Sequence, residues 1–281
     1  MPKPLAQRRR CWKARICKDH KIGAEELNRT IVITGAGEGL GRALAKRLAA
    51  DGETIVLLGR TLAKLDAVIK EISPNIGSAQ HMAISCDVGD PDSVRAAFAA
   101  IGARFPRIDV LINNAAVYEP FTLAEALDEK IMVQVKTNLL GPIYCSRAAL
   151  PLLRGDGGLR GGHLINISSE SVHSRMPMLW MYAGTKAALE FMTREWTRDL
   201  EPEGVRVTLV SAGMMMDESK SGPGWPQDVA MRFMQENHKV GIPIGQMPVS
   251  HYDSAAEAIR AVINVPADVH MGFVSLGAAK P

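Results

Sequence analysis

From Thr30 onward the chain alternates short apolar, β-branched runs with longer segments of helical spacing. Thr30–Thr34 predicts a first strand that ends in glycines. Leu40–Ala50 carries apolar residues at helical spacing and stops at Asp51-Gly52. Thr54–Leu58 reads as the second strand, with helical residues to about Ile72 and a third strand near Gln80–Ser85. A helix over Asp92–Arg104 leads into a strand at Ile108–Ile112. Two long helical segments, about Leu123–Leu153 and Met181–Leu200, flank a strand at Gly162–Ser168. Val205–Val210 and Gly272–Leu276 read as the last strands. Strands this uniformly apolar are buried on both faces. With helices between them they imply a parallel sheet with right-handed crossovers. The expected fold class is α/β: one doubly wound parallel sheet of about seven strands with helices on both faces. No internal repeat or linker interrupts residues 30–281, so a single domain is expected there. The stretch Met214–Gly245 is too irregular and too long for an ordinary loop and reads as a lid.

Composition adds little to this picture until it is divided along the chain. The 281 residues carry a formal charge of +3. Residues 1–30 hold nine Lys/Arg against three Asp/Glu, so the remainder is net acidic. A nucleic-acid footprint on the folded body is therefore not expected. The basic residues Arg8, Arg9, Arg10, Lys13, Arg15 and Lys18 belong to a segment, 1–29, that reads as a flexible extension and lacks the apolar core of a secretory signal. No run is long and apolar enough for a membrane span. Cys11, Cys17, Cys86 and Cys145 form no CxxC pair and no metal-ligand spacing, and the histidines are scattered. Free thiols and a cytoplasmic location are the expectation, with no metal, membrane or nucleic-acid partner.

The turn after the first strand, Thr34-Gly-Ala-Gly-Glu-Gly-Leu-Gly41, carries the first chemistry. It fits GxxxGxG through Gly35, Gly39 and Gly41, and not GxGxxG, whose third glycine would fall on Leu40. Missing β-carbons let a backbone turn sharply and approach a diphosphate, and the next helix offers free N–H groups and a positive dipole end. A merely tight turn is the plain alternative; strand before and helix after favour a dinucleotide site in a Rossmann fold. The second strand ends in Gly59-Arg60, with no carboxylate to grip a ribose. Arg60 could pair with a 2′-phosphate, which favours NADP(H) and leaves NAD(H) as the alternative. Glu38 within the turn argues against that preference, and Arg60 could equally be a solvated residue opening a helix.

Tyr182 and Lys186 stand four apart in a helical segment and so share a face. A tyrosine is a poor base at neutral pH, and a nearby ammonium favours its phenolate. Such a pair can exchange a proton with a carbonyl oxygen. The spacing occurs often by chance, but it does not stand alone. Cys86-Asp87-Val88 follows the third strand, Asn113-Asn114-Ala115-Ala116 the fourth, Thr137-Asn138-Leu-Leu-Gly141 lies in the long helix, and Ile167-Ser-Ser169 precedes Tyr182. In this order, over about residues 30–276, the motifs resemble those of the short-chain dehydrogenases/reductases.

The resemblance implies a Rossmann-fold oxidoreductase that moves a hydride between a nicotinamide and an alcohol or carbonyl carbon. It implies a catalytic set of Asn138, Ser169, Tyr182 and Lys186. Tyr182 would be the general acid in reduction and the base in oxidation. Ser169, 13 residues before it, would bond the reacting oxygen, with Ser168 its close competitor. Lys186 would lower the Tyr182 pKa and hold the ribose, and Asn138 would keep a water near Lys186. The cofactor would be held by Thr34, Gly35, Gly37, Glu38, Gly39, Leu40, Gly41, Arg60, Asp87, Val88, Asn114, Ala115, Ala116 and Gly213, with Tyr182 and Lys186. Homodimers or homotetramers through the two long helices are implied too. By the same analogy Met176, Met178, Trp180, Met181, Met214–Met216 and Trp225 would surround a hydrophobic substrate, and core packing would explain them as well. Three departures stand out. Ser211-Ala212-Gly213 replaces the usual Pro-Gly, the threonine expected a few residues on is not evident, and an Asp-Gly-Gly ending is missing. The altered loop at Ala212–Asp217 keeps a second class in play: a non-catalytic dinucleotide-binding sensor or scaffold.

Overall fold

The computed structural model describes residues 28–73, 80–154, 161–217, 224–266 and 268–279. Seven parallel strands form one sheet: β1 (Thr30–Thr34), β2 (Thr54–Gly59), β3 (Met82–Ser85), β4 (Val110–Asn113), β5 (His163–Ser169), β6 (Arg206–Ala212) and β9 (Phe273–Leu276). Their order is β3-β2-β1-β4-β5-β6-β9. Alternate side chains of each strand feed separate cores. Ile31, Ile33, Ile55, Leu57, Ile112 and Ile165 pack under α1 (Gly39–Ala50) and α9 (Tyr252–Ile263). Val32, Val56, Leu58, Leu111 and Leu164 pack under α3 (Pro91–Arg104) and the helix that ends at Leu153. Burial on both faces is why these strands carry no polar alternation. The fold is the expected doubly wound α/β sheet.

Three local expectations change. The segment expected as one helix over Leu123–Leu153 starts with a separate turn, Leu123–Glu125, closed by a Thr122/Glu125 capping box. The helix proper is α4 (Asp128–Val135), a π-helical turn over Lys136–Leu140, and α5 (Gly141–Leu153). Gly141 N–H bonds the Lys136 carbonyl, and Pro142 has no N–H for the carbonyl of Asn138. The fourth strand runs Val110–Asn113, and just before it the Asp109 carboxylate accepts from Thr30 N–H at 2.9 Å.

The stretch Met214–Gly245, read as an irregular lid, contains a 13-residue helix, α8 (Gln227–Lys239). Met215–Met216 (β7) pairs with Ser250–His251 (β8), and residues 218–223 lie outside the described ones. Most of the 1–29 extension also lies outside them. Its last two residues belong to the body: Asn28 Oδ1 accepts from Thr54 Oγ1 at 2.7 Å, and Arg29 pairs with buried Glu53. Among the described residues no helix is long and apolar enough to cross a membrane. Cys86 and Cys145 are buried free thiols.

Candidate active site

Parallel strands deliver their C-terminal ends to one rim, and here that rim is a cleft of about 800 Å³. Its nucleotide end is built on backbone contacts. Thr34 Oγ1 accepts from the N–H groups of Asn114 and Ala115, both at 3.0 Å. The Asn114 amide returns a bond to the Thr34 carbonyl at 3.0 Å, so the β1 and β4 turns are locked together. Gly35 has φ +65°, and a β-carbon there would lie 2.8 Å from Ala115 Cα. At Gly41 a β-carbon would lie 2.2 Å from the Gly35 carbonyl oxygen. α1 then begins with no side chain capping its N-terminus, which leaves its first N–H groups for a ligand. Gly35, Gly37, Glu38, Gly39, Leu40, Arg60, Asp87, Val88, Asn114, Ala115, Ala116 and Gly213 all line the cleft; Thr34 stands behind it as the tie.

Charge at the β2 end is divided. Glu38 is bound by Lys64 Nζ at 2.6 Å, on the first turn of α2 (Leu62–Ile72). The exposed Arg60 guanidinium has no ion-pair partner among the described residues. Asp87 accepts from Gly89 N–H at 2.9 Å and so shapes the β3 turn.

At the other end Ser169 closes β5, and Tyr182 and Lys186 face it from α7 (Trp180–Leu200). All three line the cleft. The Tyr182 hydroxyl faces Ser169 closely enough for the serine to oppose the rise of its pKa. Ser168 is not the competitor it looked: its hydroxyl donates to buried Glu190 at 2.7 Å. Lys186 Nζ donates to the Ile167 carbonyl at 2.7 Å and lies 5.9 Å from the Tyr182 ring centroid. Burial lowers its pKa to about 8. The expected depression of Tyr182 by Lys186 is corrected here. Burial pushes the Tyr182 phenol up, Ser169 is what opposes it, and the lysine's own charge is disfavoured.

Asn138 is brought beside this group, but behind the cleft wall. Its side chain bridges both backbone groups of Val117, accepting at 2.8 Å and donating at 2.7 Å, and reaches Thr185 at 3.3 Å. What it can turn toward a relay is its carbonyl, which Pro142 deprives of the usual helical donor.

The far wall is apolar. Met176, Met214, Met215, Met216 and Trp225 line it as expected, while Met178 packs in the lid core. Trp180 and Met181 do not line it, and Trp180 donates to the Phe121 carbonyl at 3.1 Å instead. His173, on the short helix α6 (Ser171–Ser174), is exposed and lies off the cleft.

Two residues that sequence reasoning missed matter here. The Tyr118 ring lies 5.5 Å from that of Tyr182 and 5.2 Å from that of Trp225, and burial holds its phenol up at about 12. Glu170 accepts from Met214 N–H at 2.9 Å. The only sequence signal for either was its place, Tyr118 just after the Asn-Asn-Ala-Ala run and Glu170 just after Ser169.

Comparison with known proteins agrees with this geometry. The family model for short chain dehydrogenases matches residues 29–221. An uncharacterized oxidoreductase of Methylorubrum extorquens is 35% identical over 194 residues, 69% of this chain and 75% of that protein. The NADP-dependent 3-hydroxy acid dehydrogenase YdfG of Salmonella typhi is 29% identical, covering 88% of this chain and 93% of the other. A solved alcohol dehydrogenase from the archaeon Thermococcus sibiricus, complexed with 5-hydroxy-NADP, superposes with a TM-score of 0.73 at 26% identity, over 90% of this chain and 98% of that one. The chain is an oxidoreductase of the short-chain dehydrogenase/reductase family.

Proposed function

We propose that this protein is an NADP(H)-preferring dehydrogenase/reductase acting on CH–OH and C=O groups, with Tyr182 as general acid and base. The observation that carries the reading is continuity: one cleft runs from the glycine turn to the Ser169–Tyr182–Lys186 group. The β-carbon-free turn and the uncapped α1 N-terminus suit a diphosphate. Arg60, whose guanidinium has no ion-pair partner among the described residues, suits a 2′-phosphate, and Glu38 is already engaged by Lys64. NADP-linked relatives point the same way. When bound, the nicotinamide supplies or accepts the hydride.

The chain's own residues handle the proton. In reduction the Tyr182 hydroxyl gives its proton to the carbonyl oxygen, and the elevated pKa keeps it an acid at neutral pH. Ser169 holds that same oxygen. Lys186, with a pKa near the working range, reprotonates Tyr182 and contacts the ribose. The Asn138 carbonyl holds the water that refills Lys186. The Met, Trp and Tyr lining suits a hydrophobic substrate. Half-exposed Met132 and Val133 on α4 and exposed Phe191 on α7 give a surface for a homodimer or homotetramer. A cytoplasmic location fits the buried free thiols.

The test is NADPH oxidation with a panel of ketones, run beside NADPH titration by fluorescence. Tyr182→Phe is expected to keep nucleotide affinity and to lose turnover by about a hundredfold or more. Unchanged turnover in that variant would remove Tyr182 from the chemistry. Nucleotide binding without turnover of any ketone or alcohol would favour the sensor or scaffold reading.

A further inference from the structure

The substrate end of the cleft narrows the proposed function, and its chemistry bears on substrate choice only if that proposal holds. Its wall is thioether and ring surface: Met176, Met214, Met247, Tyr118, Trp225 and Phe233. One charge interrupts it. Glu170 comes directly after Ser169, and its N–H extends the β5–β6 ladder by donating to the Ala212 carbonyl at 3.0 Å. Its Oε1 accepts from Met214 N–H at 2.9 Å, and its Oε2 lies 3.1 Å from where a Gly213 β-carbon would be. The Met214 bond fixes the carboxylate in the cleft wall, on the residue that follows Ser169 in sequence. Among the described residues that line the cleft no cation answers it. Among the described residues the cleft is lined by Arg60 and Lys64 at the β2 end and by Lys186, whose Nζ is turned to the Ile167 carbonyl.

We infer that the carbonyl substrate is neutral and largely apolar, and that Glu170 is the specificity-determining residue that excludes compounds bearing a carboxylate beside the reacting carbon. Such a carboxylate would meet a fixed like charge in the cleft wall. It would also lose its hydration to thioether and aromatic surface that returns no hydrogen bond. A neutral ketone incurs neither cost and gains the Met and ring contacts.

Methyl benzoylformate and benzoylformate share one frame and differ by one charge. Calorimetric titration of each into the protein saturated with NADP+ gives their affinities without requiring turnover. The ester is expected to bind at least about tenfold more tightly. Glu170→Gln, whose amide oxygen can still accept from Met214 N–H, is expected to narrow that gap by tightening the acid. Its unfolding midpoint reports whether the fold is kept. Equal or tighter binding of the acid by the wild type, or no binding of the ester, overturns the inference. An unchanged gap in Glu170→Gln overturns the role of Glu170. Failure of the underlying proposal is distinct: NADP+ and NADPH would themselves fail to bind.

Discussion

Lys186 is held in the fold at a cost, and replacing it should make the protein more stable while ending its chemistry. The side chain is 2% exposed, and its ammonium has one hydrogen-bond acceptor, the Ile167 carbonyl. No carboxylate lies within ion-pair distance of it among the described residues. Burial therefore takes its pKa from 10.5 to about 8. At about 1.36 kcal/mol for each tenfold change in proton affinity, the charged form costs the folded state about 3 kcal/mol at neutral pH. Lys186→Met keeps most of the aliphatic stem and removes the charge. It also leaves the Ile167 carbonyl without its donor, a loss of about 1–2 kcal/mol. The net expectation at about pH 7 is a gain of about 1–2 kcal/mol. The pH dependence carries the sign. A depressed lysine pKa means the folded state gives up its proton before the unfolded state does. Wild-type stability should thus be flat below about pH 8 and climb toward 10.5, and the variant should show no such climb. Urea unfolding of both proteins without nucleotide, at about pH 7 and about pH 9.5, measures this directly. A variant less stable at neutral pH, or a wild type whose stability does not rise above pH 8, would refute the idea that burial alone sets this lysine.

Two further outcomes are expected at the nucleotide end. Arg60→Ser removes an exposed guanidinium with no ion-pair partner among the described residues, so the fold should be untouched and NADPH affinity should drop by about 10–100-fold with NADH little changed; fluorescence titration with both nucleotides checks it, and parallel losses would remove Arg60 as a 2′-phosphate ligand. Gly41→Ala places a β-carbon 2.2 Å from the Gly35 carbonyl, where only backbone can yield. The turn must open, and NADPH affinity should fall by about 5–150-fold for a strain of about 1–3 kcal/mol; wild-type affinity would show that the turn has room after all.

The sequence made the sheet and the nucleotide end legible because both depend on short-range rules. Strands buried on two faces must be apolar throughout, and Ile31–Ile33, Ile55–Leu58 and Val110–Ile112 say so residue by residue. Gly35 and Gly41 are dictated by contacts within one turn and its neighbour. The substrate end escaped because it exists only after folding: Tyr118, Trp225 and Phe233 come from separate segments, and their rings meet through a tertiary contact. α9 was overlooked although Ala255, Ala256, Ile259, Val262 and Ile263 have helical spacing. Its N-cap is His251, accepting from Asp253 N–H at 3.2 Å, in place of the usual Ser, Thr, Asp or Asn. α8 was hidden by its composition, since only Phe233 and Asn237 of its thirteen residues are buried. The π-helical turn at Asn138 did leave a mark, in Gly141-Pro142 one turn later.

The departures at residues 211–217 and at the C-terminus read in the sequence as separate defects near the nicotinamide side. In the structure they form one coupled arrangement. Gly213 N–H donates to the Leu276 carbonyl at 2.7 Å, and a β-carbon at Gly213 would lie 2.9 Å from that oxygen. The glycine is thus required by β9, the last strand, which pairs with β6 without the Asp-Gly-Gly ending. Ala212 lacks the fixed φ of a proline, but its carbonyl accepts from Glu170 N–H, and the Glu170 carboxylate accepts from Met214 N–H. Backbone on both sides of Gly213 is therefore held by hydrogen bonds where a ring would have held it by covalent geometry. A loop so braced gives the scaffold reading little support. The brace also holds a carboxylate in the wall of the cleft that Ser169 lines, so the means of holding this loop and the charge proposed to select the substrate are the same side chain.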